Sequence, residues 1–186
     1  GNVAELVAAA KAQPGRLNYG STGNGTALHI TGESFRTATG DQVQHVPYKG
    51  GPQAITGLLA GEVSYMLANP RLVMAQIQAG KLRALAVTAS SRSAIIPDVP
   101  TMTEAGIVSY EVYEWNALFA PAATPNTILQ KLTDGISKVT QSAEFVEKVN
   151  SLGGEVFQGN AEVADVFIKT QMTQWAKLIK SGKITV

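Results

Sequence analysis

The chain has 186 residues, 45% of them hydrophobic and 16% charged, with a formal net charge of +1. That is enough apolar chain to bury a core in one or two domains, and it excludes a disordered protein. A near-neutral charge with no basic run gives nucleic acid or a membrane surface no hold, and the absence of cysteine removes disulfides, thiol catalysis and cysteine metal sites.

No apolar stretch approaches the ~20 residues of a membrane span. No signal peptide is visible and the first residue is Gly1 rather than Met, so a processed or trimmed chain is expected. His29 and His45 are the only histidines, too few and too far apart to suggest zinc. No cofactor or metal is implied.

In chain order, residues 3–13 have Val3, Leu6, Val7 and Ala10 on one helical face, and Pro14 and Gly15 stop the helix. A strand over 17–19 leads into a loop of small residues and then a helix over 26–39, carrying Leu28, Ile30 and Phe35 and ending at Gly40. A second strand is expected over 44–48. Residues 49–52 then turn into a helix with Ile55, Leu58 and Leu59, and Gly61 ends it. A third strand over 63–68 precedes a helix opened by Pro70 and carrying Leu72, Val73 and Ile77. Residues 83–88 are apolar along most of their length and read as a fourth strand buried on both faces. Strands alternating with helices of this length predict βαβ units and a parallel sheet.

Beyond residue 90 the pattern changes. A Ser/Pro-rich connection runs to about 103, and an extended run over 112–120 contains Trp115 and Phe119. Thr124 is placed to cap a helix with Pro125 at its first position. Three amphipathic helices follow, with Ile128, Leu132, Ile136 and Val139 on the first. Phe145, Val149 and Leu152 mark the second, and Val163, Phe167, Met172, Trp175 and Leu178 the third. One lone strand, over 155–157, separates the last two. These helices lack a sheet of their own to cover.

The loop over 20–26 is the most informative stretch. Glycines at 20, 23 and 25 permit positive φ and close approach, while Ser21, Thr22, Asn24 and Thr26 offer donors and caps. The start of the next helix carries unpaired N–H groups and the positive end of its dipole, so the unit reads either as an anion cradle or as an ordinary capped turn. It is not a P-loop, because Gly25 is followed by Thr26 and Ala27 rather than Lys and Ser/Thr. It is not a nucleophile elbow either, because Tyr19 stands where the first glycine belongs.

Taken together, YGSTGNGTALHI, HVPYKGGPQAITGLLAGEV, AGKLRALAVTASSR, PDVPTMTEAG and EWNALFAPAATP, in this order and spacing, resemble the substrate-binding proteins of tripartite tricarboxylate transporters, the Bug family. The resemblance covers essentially the whole chain. It implies an α/β, periplasmic-binding-protein-like (type II) lobe with a parallel-type sheet, plus C-terminal helices of an incomplete other lobe. It also implies a periplasmic receptor that closes on a small organic acid and delivers it to membrane permease subunits. Family members are longer at the N-terminus, so residues 1–115 are expected to be the second lobe. Residues 116–186 are then the crossover and the helices returning to the first lobe, whose opening strands would be absent.

In that family the loop matching 21–26 faces the ligand. Ser21, Thr22 and Asn24 are therefore expected to donate to a carboxylate, with backbone N–H groups of Gly23, Asn24, Gly25 and Thr26 assisting. Tyr48, Lys49 and Gly50 follow the next strand and reach the same sheet edge, as does Asn69 after the third. His29, one turn into the helix, is a candidate for ligand contact or for a structural bond; His45 reads as structural. Many relatives carry an acidic residue where Ser64, Met66 and Leu67 stand, which leaves the ligand's identity open. Glu114 and Trp115 are expected on the crossover.

A receptor without catalysis is the first reading of function. An enzyme acting on small acids is disfavoured, since no Ser/His/Asp or paired-carboxylate cluster is visible at strand ends. A sensing module for a signalling partner is not separable from transport by sequence. With the last helices unpartnered, self-association or a packing foreign to the family is expected of the chain as given.

Overall fold

The computed structural model describes residues 1–108, 110, 112, 114–157 and 159–181. It divides into two compact units, one built on Gly1–Glu114 and joined by residues from Ala176 onward, the other Trp115–Trp175.

In the first unit, α1 (Val3–Ala12) starts at Asn2, whose side chain accepts the Glu5 N–H at 2.9 Å. Strand β1 (Asn18–Ser21) lies between β2 (Gln44–Pro47) and β3 (Tyr65–Met66), giving a three-stranded parallel sheet of order β2-β1-β3. The crossovers are α2 (Ala27–Thr39) and α3 (Gly51–Leu59); α4 (Pro70–Gln78) follows β3. Of the four cap candidates in the loop, Thr26 caps helix α2, which ends at Gly40 in the left-handed region with φ 65°. Tyr19, Ile30, Phe35, Val63, Tyr65, Met102 and Tyr110 form the core. Tyr65 stacks on Tyr19, and Phe35 meets Tyr65 and Tyr110 edge-on. Gly32 lets α2 lie directly on the Tyr19 ring: a Cβ there would fall 2.2 Å from the ring's Cε2.

Two strand expectations are corrected. Strand β3 is two residues long, not six. Beside it the Asn18 side chain takes over the pairing: Oδ1 accepts the Ser64 N–H at 2.9 Å and Nδ2 donates to the Glu62 carbonyl at 2.9 Å. Residues 83–88 form no strand and are half-buried or exposed rather than buried. Their backbone turns to a different partner. The Val87 N–H donates to the Pro100 carbonyl at 2.8 Å and the Val87 carbonyl accepts the Met102 N–H at 2.9 Å, an isolated bridge in place of a fourth rung on the sheet.

The second unit holds α5 (Asn126–Thr140), α6 (Ala143–Ser151) and most of α7 (Ala161–Ser181). Pro125 rather than Thr124 occupies the cap of α5, without a side-chain bond, because the Pro125 carbonyl accepts the first helical N–H, that of Leu129, at 3.0 Å. Ser142 caps α6. Residues 155–157 form no strand, nor do the described residues of 112–120; Tyr113, in that run, and residues 182–186 lie outside the described residues. Trp115 and Phe157 both pack on Phe167. Among the described residues no helix is long and apolar enough to cross a membrane.

Candidate functional site

Parallel strands joined by crossover helices place every strand-to-helix loop at one edge of the sheet. Residues 22–26, 48–50 and 67–69 follow β1, β2 and β3 in this way. The Ser21 carbonyl accepts the Tyr48 N–H at 3.0 Å, and a Cβ on Gly23 would stand 3.4 Å from the Tyr48 carbonyl. The first two loops therefore touch.

The glycine loop is held from beneath. Ser21 is 0% exposed. Its Oγ lies 2.6 Å from His45 Nε2, accepts the Gly23 N–H at 3.1 Å and lies 3.2 Å from the Gly23 carbonyl. The Gly25 N–H donates to His29 Nδ1 at 3.1 Å, and the Thr26 hydroxyl donates to the Gly23 carbonyl at 2.8 Å. His29 and His45 stack face to face with ring centroids 4.0 Å apart and planes 12° apart, and Tyr19 continues the stack beyond His45 at 4.9 Å. The Tyr19 hydroxyl donates to Glu33 at 2.7 Å, and Arg36 binds the other Glu33 oxygen at 2.6 Å.

The electrostatics follow from this packing. Burial holds His45 down to about 4, and the neighbouring His29 adds to the depression. Burial also lowers His29, against the pull of Glu33. Burial works against the Glu33 carboxylate, yet its bonds to Arg36 and Tyr19 keep it below the usual range. At neutral pH both imidazoles are uncharged.

Several expectations are corrected by these positions. Ser21 does not face outward, since its hydroxyl is consumed by His45 and Gly23. Of the four loop amides, those of Gly23 and Thr26 are satisfied by Ser21 and Gly23, and that of Gly25 by His29 of α2. His29 is buried and supports the loop. The Tyr48 hydroxyl turns away and donates to Glu62 at 3.0 Å, beside a shallow cleft of about 380 Å³ lined also by Pro52, Gln53, Thr56 and Gly57. Asn69 caps α4 through its Oδ1 and donates its amide to Glu114 at 3.0 Å.

What remains at the edge is Thr22, the exposed Asn24, the exposed Lys49 and Gly50. Gly50, at φ 129°, begins α3 without a side-chain cap, whereas Thr26 and Asn69 cap α2 and α4. The uncapped first turn of α3 thus offers the N–H groups of Gly51 and Gln53, Pro52 having none, beside Lys49 in the chain, a combination that suits an anion.

Sequence reasoning missed the Ser21–His45 contact, although the two residues point to one face of adjacent parallel strands. A serine hydroxyl on an imidazole nitrogen has the form of a nucleophile and its base. With Ser21 wholly enclosed and its oxygen already accepting from Gly23, this pair is scaffolding.

Residues 1–184 match the family described as "Tripartite tricarboxylate transporter family receptor". The UPF0065 protein in the tcbD-tcbE intergenic region of Pseudomonas sp. (strain P51) is 34% identical over 96% of this chain and 53% of its own length. The chain thus spans about half the length of the curated relatives it matches. Among solved structures, R. palustris Rpa4515 with adipate superposes with a TM-score of 0.91 at 30% identity, covering 99% of this chain and 62% of that one. The periplasmic binding protein BugD gives 0.85 at 32% identity over 98% and 62%. MatC (Rpa3494) from Rhodopseudomonas palustris with bound malate gives 0.83 at 25% identity over 96% and 62%. This family is one of solute-binding receptors rather than enzymes, and the chain belongs to it: the tripartite tricarboxylate transporter family receptors.

Proposed function

We propose that this chain is part of a periplasmic solute receptor that captures a small carboxylate and delivers it to the membrane subunits of a tripartite tricarboxylate-type transporter. Residues 1–115 act as one lobe of the receptor, and residues 116–186 supply the crossover and helices of the other. The observation that carries the reading is the shared sheet edge, where the uncapped start of α3, Lys49, Thr22 and Asn24 gather. Such an edge holds a carboxylate by neutral donors, a helix terminus and one cation, and it needs no chemistry. The adipate and malate bound by Rpa4515 and MatC point to the same ligand class.

Calorimetry with adipate and with malate tests it. A bound acid that is recovered unchanged supports the receptor. Each charge-assisted bond removed by Thr22→Ala or Asn24→Ala is expected to weaken binding by about 1.5–3 kcal/mol. Unaltered affinity in both variants, with the fold intact, would return the loop to a capping role.

A further inference from the structure

The two histidines lie under the loop rather than in it, and their geometry gives them a task of their own. His29 Nδ1 accepts the Gly25 N–H at 3.1 Å, which requires that nitrogen to be bare and places the ring's proton on Nε2. His45 reaches the same loop by a different route, through Ser21 Oγ at 2.6 Å and from there to the Gly23 N–H. The loop's two positive-φ glycines, at φ 131° and 73°, are therefore each tied to one of two rings that are stacked on each other. We infer that the stacked His29–His45 pair is the positioning element of the glycine loop, holding it in its ligand-competent shape only while His29 is neutral. The inference rests on the receptor reading for what the loop binds, but not for how the loop is held.

The two rings are not equivalent. A proton added to His29 Nδ1 points at the Gly25 N–H and replaces a hydrogen bond with two donors facing each other. A proton added to His45 leaves the Ser21 bond possible, because Nε2–H can donate to Oγ, but it charges a ring stacked on its neighbour. The groups around the pair offer little to compensate. Tyr19 from β1 is uncharged, its hydroxyl is engaged with Glu33, and Tyr65 from β3 stands behind it. Glu33 from α2 is already paired with Arg36. Burial and the mutual proximity of the rings keep both protons off at neutral pH. Loss of the Gly25 bond is thus specific to His29, and the two variants that separate it are His29→Asn and His29→Gln. The Asn oxygen falls near the place of Nδ1 and can still accept from Gly25, whereas Gln reaches past it towards Nε2.

The test uses the whole chain, unaltered and in those two forms, after thermal unfolding has shown each to be folded. Amide exchange at Gly25, read by NMR at pH 7, is expected to rise about tenfold in His29→Gln and to stay within about twofold in His29→Asn. Calorimetry with adipate is expected to follow the same order, His29→Gln binding about tenfold more weakly. Equal Gly25 exchange in all three chains overturns the inference. Altered exchange with equal adipate affinities overturns its binding half and leaves the receptor reading intact. No adipate uptake by the unaltered chain, with Gly25 exchange in the expected order, leaves the loop support standing and overturns the receptor reading for this part of the receptor taken alone. Should His29→Gln not fold, acid titration of the unaltered chain decides: the Gly25 amide must shift with the His29 ring signals, and a Gly25 resonance that stays put while the ring titrates overturns the proposal.

Discussion

At Gly32 and Gly57 the same missing methyl group has different consequences, because the neighbours differ in freedom. A Cβ on Gly32 meets the Tyr19 ring at 2.2, 2.7 and 2.8 Å, and Tyr19 is fully buried with its hydroxyl held by Glu33. Gly32→Ala would gain about 1 kcal/mol of helix propensity, but overpacking against an immovable ring costs about 1–3 kcal/mol or more, so a net loss is expected in denaturant unfolding. At Gly57 the Cβ would strike the Tyr48 hydroxyl at 2.2 Å. Tyr48 is half exposed and can swing away, giving up one surface hydrogen bond to Glu62, so Gly57→Ala is expected to change stability by less than about 1 kcal/mol. The stacked histidines, His29 buried and His45 half-buried, give a pH dependence with a definite sign. Between the unfolded value of 6.5 and about 4, the unfolded chain binds the proton that folded His45 refuses, so stability falls as the pH drops through that window and levels off below it. The slope from this residue is at most about 1.4 kcal/mol per pH unit. Urea midpoints measured from pH 7 to 4 should show it, and His45→Gln should flatten it; an unchanged slope in the variant would move the proton uptake elsewhere.

Among the elements, the sheet depends on one side chain to a degree that its strand count conceals. Asn18 bonds both the Ser64 N–H and the Glu62 carbonyl, joining β1 to the entry of β3 where regular pairing is short. Asn18→Ala is expected to cost about 1–2 kcal/mol, with faster amide exchange at Tyr65 and Met66, and normal exchange there would deny Asn18 that role. Around residues 83–88, slow exchange is expected at Val87 and at Met102, the two amides of the isolated bridge. These cases also mark where the sequence was readable. Helix α2 was legible at both ends, because Thr26 and Gly40 act within one turn of themselves. The length of β3 and the fate of residues 83–88 were not, since pairing is decided by partners such as Asn18, 46 positions from Ser64. The site divides in the same way. That three loops share an edge follows from strand–helix alternation, which is a local pattern. Which groups face the edge does not, because Ser21 is turned inward by a histidine on the neighbouring strand and the Tyr48 hydroxyl is drawn aside by Glu62.

On the scale of the molecule, the second unit stands out for what it leaves uncovered. Ile128, Leu132, Ile136 and Val139, the apolar stripe of α5, are all exposed, as are Phe145, Phe157, Val163 and Val166. On α7, Met172 is 64% exposed, although it falls within the apolar stripe. Trp115, Phe157 and Phe167 cluster with one another, but three rings do not cover three helices. Burying one large side chain contributes about 1.5–3 kcal/mol, so a face carrying four of them drives association by several times that, less the entropy of bringing chains together. The chain covers 62% of the Rpa4515 receptor it superposes on, so for this chain taken by itself self-association is the expected remedy. Light scattering on this chain at micromolar concentration should show a mass above the monomer, with binding of an apolar dye that falls as the mass rises. Leu132→Lys with Ile136→Lys, both on exposed positions of one stripe, should return it to the monomer without lowering the cooperativity of the first unit's unfolding. A compact monomer that binds no dye would show that these stripes are covered by the chain itself.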